Sequence, residues 1–350
     1  MGIKENLDSR VMEKFKKEKP LRENRVDNIF KKRYYISPES IHITNYIRKK
    51  PLASFNPGAL LIEDRLYIFP RLVFDYYTYN SSVGVFSLDI NSALTGRLPK
   101  NFDTEIILWP DRMWEFGHGV EDPRLWENNG EIYMLYTGSK HYERKGKLIK
   151  KSVLALSNID KKGDRFSAEK KGYFKIVSNN EEYEPECKDS AFIEPIGDKI
   201  TMLLRFHTTA PHSAWRGIGD IKNLTIPLDS AEPVIVPMEW EEKVGWSTNV
   251  VKLEENRYLA GWHAVLKEDL SYKNGFALID REGNLLGITD YLLAPEGLIE
   301  SYGDRGLVIF GDGLVKYENY IIWIGGISDY GIGIFVTTID DVIKKLKYRK

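Results

Sequence analysis

The sequence predicts an all-β chain folded as a five-bladed β-propeller with short helices at its two ends. Three observations predict it. One strand–turn–strand unit recurs five times, each copy is followed by a further strand-like run, and helical periodicity is confined to the ends of the chain. The five copies are FNPGALLIEDRLYIFPRLV, EDPRLWENNGEIYMLYTGS, KDSAFIEPIGDKITMLLRFH, STNVVKLEENRYLAGWHAV and GDGLVKYENYIIWIGGISD. Each opens on small or polar residues, runs through a short apolar strand and a polar turn, and ends its second apolar strand on a small or polar residue. The runs that follow are SSVGVFSLD, KSVLALSNI, WRGIGDIKN, KNGFALIDREG and YGIGIFVTTID. A period of roughly 60 residues suits one four-stranded antiparallel sheet with its loops.

At the start, Ile3, Leu7, Val11 and Phe15 recur every four residues among charges, the pattern of an amphipathic helix with one packed stripe. Residues 1–44 are expected to form a basic helical extension, either a solvated cap on the propeller's bottom or outer edge or a contact in a homo-oligomer. Residues 45–350 are expected to be the propeller with a C-terminal helix. There Thr338 or Asp340 would cap, Val342, Ile343 and Leu346 share a face, and basic residues fill the last turn.

Composition narrows the function classes. The chain has 350 residues, is 42% hydrophobic and 29% charged, and carries a formal net charge of −1. It can bury a full core, and it has no global field to attract nucleic acid or a membrane surface, so a ligand must be recognised by a local site. The single Cys187 excludes an internal disulfide framework, the first residues lack the apolar core of a signal peptide, and no apolar run approaches the ~20 residues of a spanning helix. A soluble, cytoplasmic protein is expected. Glutamine is absent while Lys, Glu and Ile abound, a bias associated with high-temperature proteins.

In a propeller the innermost strands line a central channel, so residues at one end of them converge although far apart in sequence. Matching the copies puts Asn56, Asp122, Asp189, Thr248 with Asn249, and Asp312 at equivalent openings. One hairpin further on stand Arg71, Thr137, Arg205 and His263, with Asp329 near its own position. In GVEDPRLW, Pro123 is expected to begin the strand and hold Glu121 and Asp122 just outside it, at the channel mouth. Neighbouring acids resist joint ionisation, and Arg124 is placed to keep one charged; the pair would split into an acid and a binding group. The same residues also suit a plain strand cap with a salt bridge. Trp109, Trp114, Phe116, Trp126, Trp215, Trp240, Trp246 and Trp262 offer faces for stacking on sugar, although Trp126, Trp262 and Trp323 lie in apolar strands and are expected to pack. His207, His212, His118 and His141 have no zinc-ligand spacing, and no metal is expected. The glycines lack the helix of a phosphate loop, and no G-x-S-x-G elbow occurs.

From about Asn45 to the C-terminus the chain resembles glycoside hydrolase family 130, the mannoside phosphorylases and related mannosidases. GVEDPRL followed by YTG carries the resemblance most specifically. FNPGA, KITMLLRFH, EKVG ahead of GWHAV, APEG and the final GGISDYGIGIFVTTIDDVIKKL support it. The resemblance implies a five-bladed propeller, no cofactor, a mannose-containing oligosaccharide as substrate, and inorganic phosphate as co-substrate in a phosphorylase. It implies Asp122 as general acid, with Asn56 and Glu121 about the sugar and Arg205, Lys243, His263 and Asp329 about phosphate; the register of the openings and the charges beside them add Arg71, Arg124 and Asp189 to the expected sugar-binding set and Lys188 to the expected phosphate-binding set. The reaction it implies is inverting phosphorolysis to α-mannose 1-phosphate. Lys188 and Asp189 stand where family phosphorylases commonly carry arginine and asparagine, and VGWSTNV lacks the family's usual glycine- and proline-rich pattern after Lys243. An aspartate there would repel phosphate unless neutralised, or would activate water in an inverting hydrolase. A propeller that only binds glycans is the third alternative.

Overall fold

A computed structural model of the chain describes residues 2–18 and 21–349. The chain is all-β apart from short helical segments. Its strands form five sheets of four or five strands, antiparallel but for one parallel edge pairing, and one small three-stranded sheet. The five copies read from the sequence are the first hairpins of the five sheets: Ala53–Ile62 with Arg65–Val73, Val120–Asn128 with Glu131–Arg144, Cys187–Ile196 with Lys199–Phe206, Glu241–Glu254 with Arg257–Leu266, and Ile309–Tyr317 with Tyr320–Ile327. We number these sheets one to five. The turns are tight: Asn129 and Gly130, both at positive φ, connect the paired residues Asn128 and Glu131, as a two-residue hairpin requires.

The second strands are apolar almost throughout because both of their faces are covered. Leu66 and Ile68 pack with Val315, Ile322 and Ile324 of sheet five. Tyr67 and Phe69, pointing the other way, pack with Leu125 and Met134 of sheet two. The same period-two division recurs around the molecule. Leu135 and Leu156 of sheet two meet Phe192 and Met202 of sheet three; Leu203 meets Val244 and Trp262 of sheet four; Leu259 and Phe276 meet Leu314 and Trp323 of sheet five. Five apolar cores therefore lie between successive sheets, one of them between sheets five and one. The first strand of sheet one lies against those of sheets two and five, and the first strand of sheet four against those of sheets three and five.

The chain ends close this arrangement. Lys32–Ile36 pairs antiparallel with Gly331–Thr338 as the outer strand of sheet five, and Ile41–Ile43 runs parallel to Phe102–Leu108 at the edge of sheet one. Residues 1–44 thus contain a helix, Ile3–Lys17, but also two strands that belong to the sheets. The helix buries Ile3, Leu7 and Val11 on sheet three, among Phe206, Trp215 and Leu228. The expected C-terminal helix is short, Ile339–Ile343, capped by the Thr338 hydroxyl on the Asp341 N–H. Beyond it Lys347–Tyr348 joins sheet four, which carries Leu346 out of the helix. Among the described residues no helix is long and apolar enough to cross a membrane.

Candidate active site

The polar openings are ladder irregularities in the first strands. Pairing is broken between Phe55 and Gly58, Glu121 and Arg124, Lys188 and Ala191, Trp246 and Val250, and Gly311 and Gly313. These bulges hold Asn56, Asp122, Asp189, Thr248 with Asn249, and Asp312. Asn56, Asp122 and Asp189 take left-handed φ of 42°, 53° and 50°. Asn and Asp tolerate that region better than other side-chain-bearing residues, which is a physical reason for these types in this register. Pro123 accordingly does not begin a strand. Val120–Asn128 runs through it, and its missing N–H falls inside the bulge, where the ladder needs none.

A cavity of about 210 Å³ lies over these bulges. Asn56, Arg71, Asp122, Lys188, Asp189, Arg205, Lys243, His263 and Asp329 all line it, joined by His207, Tyr272, Arg305, Val308 and Phe310. Glu121 and Arg124 sit buried directly behind the lining. A larger cavity, about 560 Å³, opens at the far ends of the same strands among Leu61, Trp126, Val251 and Val315. It has no comparable cluster of charges, so the smaller one is the candidate site.

One wall is built on Arg71, which extends from the second strand of sheet one. Its guanidinium reaches Glu121 Oε1 at 2.8 Å, Asp122 Oδ1 at 3.2 Å and Ser81 Oγ at 2.7 Å. Asp122 Oδ1 also accepts from Asn56 Nδ2 at 3.0 Å, and both contacts fall on that one oxygen. The arginine framing the two acids is therefore Arg71 and not Arg124. Burial would raise Glu121, but Arg71 and Lys188 outweigh it and hold the carboxyl at about 2. Lys188, expected beside phosphate, donates to Glu121 Oε2 at 3.1 Å. Gly326 makes this wall possible: a Cβ there would stand 2.1 Å from Asn56 Oδ1.

The opposite wall is built on Arg205, in the same register of sheet three. Its Nε binds Asp189 Oδ2, and Nη1 lies 2.8 Å from His207 Nε2. Arg124 approaches Asp189 Oδ1 at 3.6 Å, pairs with Asp312 Oδ1 at 2.7 Å, and donates to the Ser247 carbonyl at 2.9 Å. Despite burial, which opposes ionisation, Arg205, His263 and Arg124 hold Asp189 well below the usual carboxylate range. Asp312 goes the other way: fully buried, it is pushed well up, with Arg124 only partly offsetting the cost. His263 is kept neutral, at about 3, by burial and by the positive charge of Arg205 and Lys243, against the pull of Asp189. A Cβ on Gly245 would stand 2.5 Å from Arg205 Cδ, so this glycine leaves the space that Arg205 fills.

Between the walls stands Tyr272, stacked on His263 at 5.5 Å. Lys243 Nζ is 3.1 Å from its hydroxyl, and the Arg305 guanidinium lies 5.0 Å from its ring. Neither cation forms an ion pair with a described residue. Asp329, in a left-handed turn just past the second strand of sheet five, is partly buried and raised, with Arg71 and Arg305 pulling against desolvation. Five cationic side chains and three acidic ones line the cavity.

Sequence reasoning missed Arg305, Tyr272 and His207. Arg305 lies between sheets four and five, outside the matched hairpins, and its only signal was a cation in SYGDRGL. Of the tryptophans, Trp215, Trp246, Trp262 and Trp323 are fully buried core residues. None of the tryptophans lines the cavity, whose aromatic residues are Tyr272 and Phe310. No group of three or more potential metal ligands occurs among the described residues.

The chain is similar to known proteins. The model of glycoside hydrolase family 130, described as beta-1,4-mannooligosaccharide phosphorylase, matches residues 20–348. A 1,2-beta-oligomannan phosphorylase of Thermoanaerobacter sp. (strain X514) is 26% identical over 230 residues, 64% of this chain and 70% of that protein. A beta-1,2-mannobiose phosphorylase from Listeria innocua, solved with beta-1,2-mannobiose, superposes with a TM-score of 0.68 at 16% identity, over 89% of this chain and 98% of the other. A family 130 structure from work describing glycoside hydrolases that target beta-1,2 mannosidic linkages in Candida mannan superposes with a TM-score of 0.64 at 14% identity, over 90% and 91%. With the family model spanning nearly the whole sequence, the chain belongs to glycoside hydrolase family 130 and is a glycoside phosphorylase or glycosidase.

Proposed function

We propose that the five sheets are the blades of a five-bladed β-propeller and that the protein is an inverting β-mannoside phosphorylase. The cycle of five apolar cores supports the propeller. The observation that carries the phosphorylase reading is the pair Lys243 and Arg305, two cations that form no ion pair with a described residue and lie beside the Tyr272 ring in the cavity that Asp122 also lines. Converging unpaired cations in a buried cavity bind a compact anion.

In this reading Asp122 is the general acid. Both of its polar contacts are on Oδ1, which leaves Oδ2 for the substrate. Its proton passes to the glycosidic oxygen, through a mannose hydroxyl if the relay implied by the family operates, and the bond from that oxygen to the anomeric carbon breaks. Phosphate, held by Lys243 and Arg305 with Arg205 and His263 beside it, supplies the oxygen that bonds to the anomeric carbon from the other face. The products are α-mannose 1-phosphate and the shortened acceptor. Asn56, Arg71 and Glu121 orient the sugar and the acid, and Lys188 holds Glu121 charged.

Asp189 was the residue on which phosphorolysis or hydrolysis turned. Its carboxylate is neutralised by Arg205 and Arg124, so it does not repel phosphate, and a carboxylate held that far down is a weak base for water. The test is initial rate on β-1,2- and β-1,4-mannobiose against phosphate concentration. The phosphorylase reading expects saturable dependence on phosphate; an unchanged rate in its absence, with free mannose released, would establish the hydrolase instead.

A further inference from the structure

Arg305 reaches the cavity from residues 302–306, an exposed segment with few ties of its own. Its backbone is held by the Arg305 N–H on the Ser328 carbonyl at 3.0 Å, and just beyond it the Leu307 N–H bonds the Ser301 carbonyl at 3.2 Å. A long side chain on such a segment loses freedom when it binds an anion, and whatever fixes the segment beforehand lowers that cost.

One side-chain contact reaches the segment from sheet one. The Tyr76 hydroxyl donates to Asp304 Oδ2 at 2.8 Å, one residue before Arg305. Tyr76 stands on the loop of residues 75–80, and that loop is well braced. Asp75 Oδ1 accepts from the Tyr77 and Thr78 N–H groups, at 3.0 Å each, which closes a local turn. Tyr79 holds a left-handed φ of 57°, uncommon for a residue of its size, and packs on the buried cluster of Ala53, Phe55 and Val73. Its ring lies 5.6 Å from the Arg71 guanidinium and stacks with the Tyr76 ring at 6.1 Å, the planes 25° apart. The contacts Arg71, Tyr79, Tyr76 and Asp304 therefore join the wall that holds Asp122 to the segment that carries Arg305.

We propose that Tyr76 is a positioning residue: its hydroxyl, bonded to Asp304, fixes the segment from which Arg305 meets phosphate. The proposal rests on the phosphorylase reading for its ligand. Tyr76 does not line the cavity, so its loss acts on the binding of phosphate and not on the chemical step.

The experiment is a double-mutant cycle, with KM for phosphate and kcat measured at saturating β-mannobiose for the wild type, Tyr76→Phe, Arg305→Ala and the double variant. Tyr76→Phe keeps the ring that stacks on Tyr79 and removes the hydroxyl. It is expected to raise KM for phosphate about threefold to tenfold, the scale of one net hydrogen bond, with kcat changed less than about twofold. In the Arg305→Ala background the same substitution should change nothing further, because the group it positions is gone. An unchanged KM in Tyr76→Phe, or an equal penalty with and without Arg305, would overturn the proposal. Should the wild type run without phosphate, the functional reading fails first, and hydrogen exchange at the Arg305 amide decides separately whether Tyr76 fixes the segment. Faster exchange in Tyr76→Phe, confined to residues 301–307, supports the contact; equal exchange, or acceleration throughout the chain, overturns it. Tyr76 is 50% exposed, so the variant is expected to fold, which circular dichroism checks.

Discussion

On one side of the cavity Arg71 reaches from the second strand of its sheet to Glu121 and Asp122; on the other, Arg205 reaches from the same register of its own sheet to Asp189. Each wall thus pairs a bulge aspartate at left-handed φ with an arginine one hairpin later. They differ in how completely the aspartate is enclosed. Asp122 shares its arginine with Glu121 and is touched on one oxygen, whereas Asp189 has an arginine at or near each oxygen and a histidine 3.9 Å from Oδ2. One scaffold motif, repeated, therefore gives a carboxyl with one oxygen free of polar contacts with described residues and another with a cation at or near each oxygen. The surrounding charges decide which, since burial is nearly equal, at 5% and 3% exposure.

The sharpest way to break this comparison is to neutralise each aspartate in turn. Asp122→Asn should lower kcat by about 10² to 10⁴, the usual contribution of a general acid. Asp189→Asn should lose no more than about 10²-fold, through displaced neighbours. Equal losses in kcat would make the two walls chemical partners and favour water as nucleophile.

Stability should rank the walls in the opposite order. Asp189→Ala strips Arg205 and Arg124 of a buried partner and should cost about 3–5 kcal/mol in urea unfolding. Asp122→Ala should cost less, because Glu121 still holds Arg71.

A pH series sharpens the electrostatic difference. His263 titrates near 3 in the folded chain against an ordinary 6.5, so between those values the unfolded chain binds the extra proton, and the stability this group contributes is lost as pH falls through that window. Glu121 acts in the same sense between its ordinary 4.5 and about 2, while Asp312, raised by burial, acts in the opposite sense. The variant His263→Asn should therefore flatten the loss of unfolding midpoint on acidification below 6.5. A slope as steep as the wild type's would show that His263 is not held neutral as described.

The smallest effect is expected from the N-terminal helix, which lies outside the residues matched by the family model. Asp8 Oδ1 accepts from the Thr209 and Ala210 N–H groups and so pins the loop that begins at His207 in the cavity wall. Asp8→Ala should raise KM for phosphate by about twofold to fivefold, the scale of one or two net hydrogen bonds, with kcat unchanged. Asp8→Asn, which retains the acceptor, should behave as wild type; a fall in kcat shared by both variants would contradict a positioning role.

Much of the strand framework was legible because it repeats. Five hairpins in register exposed both the strands and the polar residues at their bulges, and eight of the residues so aligned or framed around GVEDPRL meet at or directly behind one cavity: Asn56, Arg71, Glu121, Asp122, Arg124, Asp189, Arg205 and His263. Pairings were less legible. That Arg71 and not Arg124 frames Glu121 depends on side-chain direction across two sheets, which no local pattern encodes. Arg305 comes from a segment outside the repeated strands, Tyr272 from the start of a third strand beyond the matched hairpins, and the outer strands Lys32–Ile36 and Lys347–Tyr348 are recruited by pairing partners about 300 and 60 residues away. Trp215 and Trp246 misled for a related reason, whereas Trp262 and Trp323 pack as expected: an aromatic residue in a repeat of stacked sheets serves the core between them unless it stands at the mouth.

The central claim, that phosphate and not water attacks the anomeric carbon, is tested most directly by running the reaction on β-mannobiose with phosphate in ¹⁸O-enriched water and analysing the products by mass spectrometry. The account predicts mannose 1-phosphate of α configuration carrying no label from water. Release of free mannose labelled at its anomeric oxygen by direct hydrolysis, with no sugar phosphate formed, would contradict it.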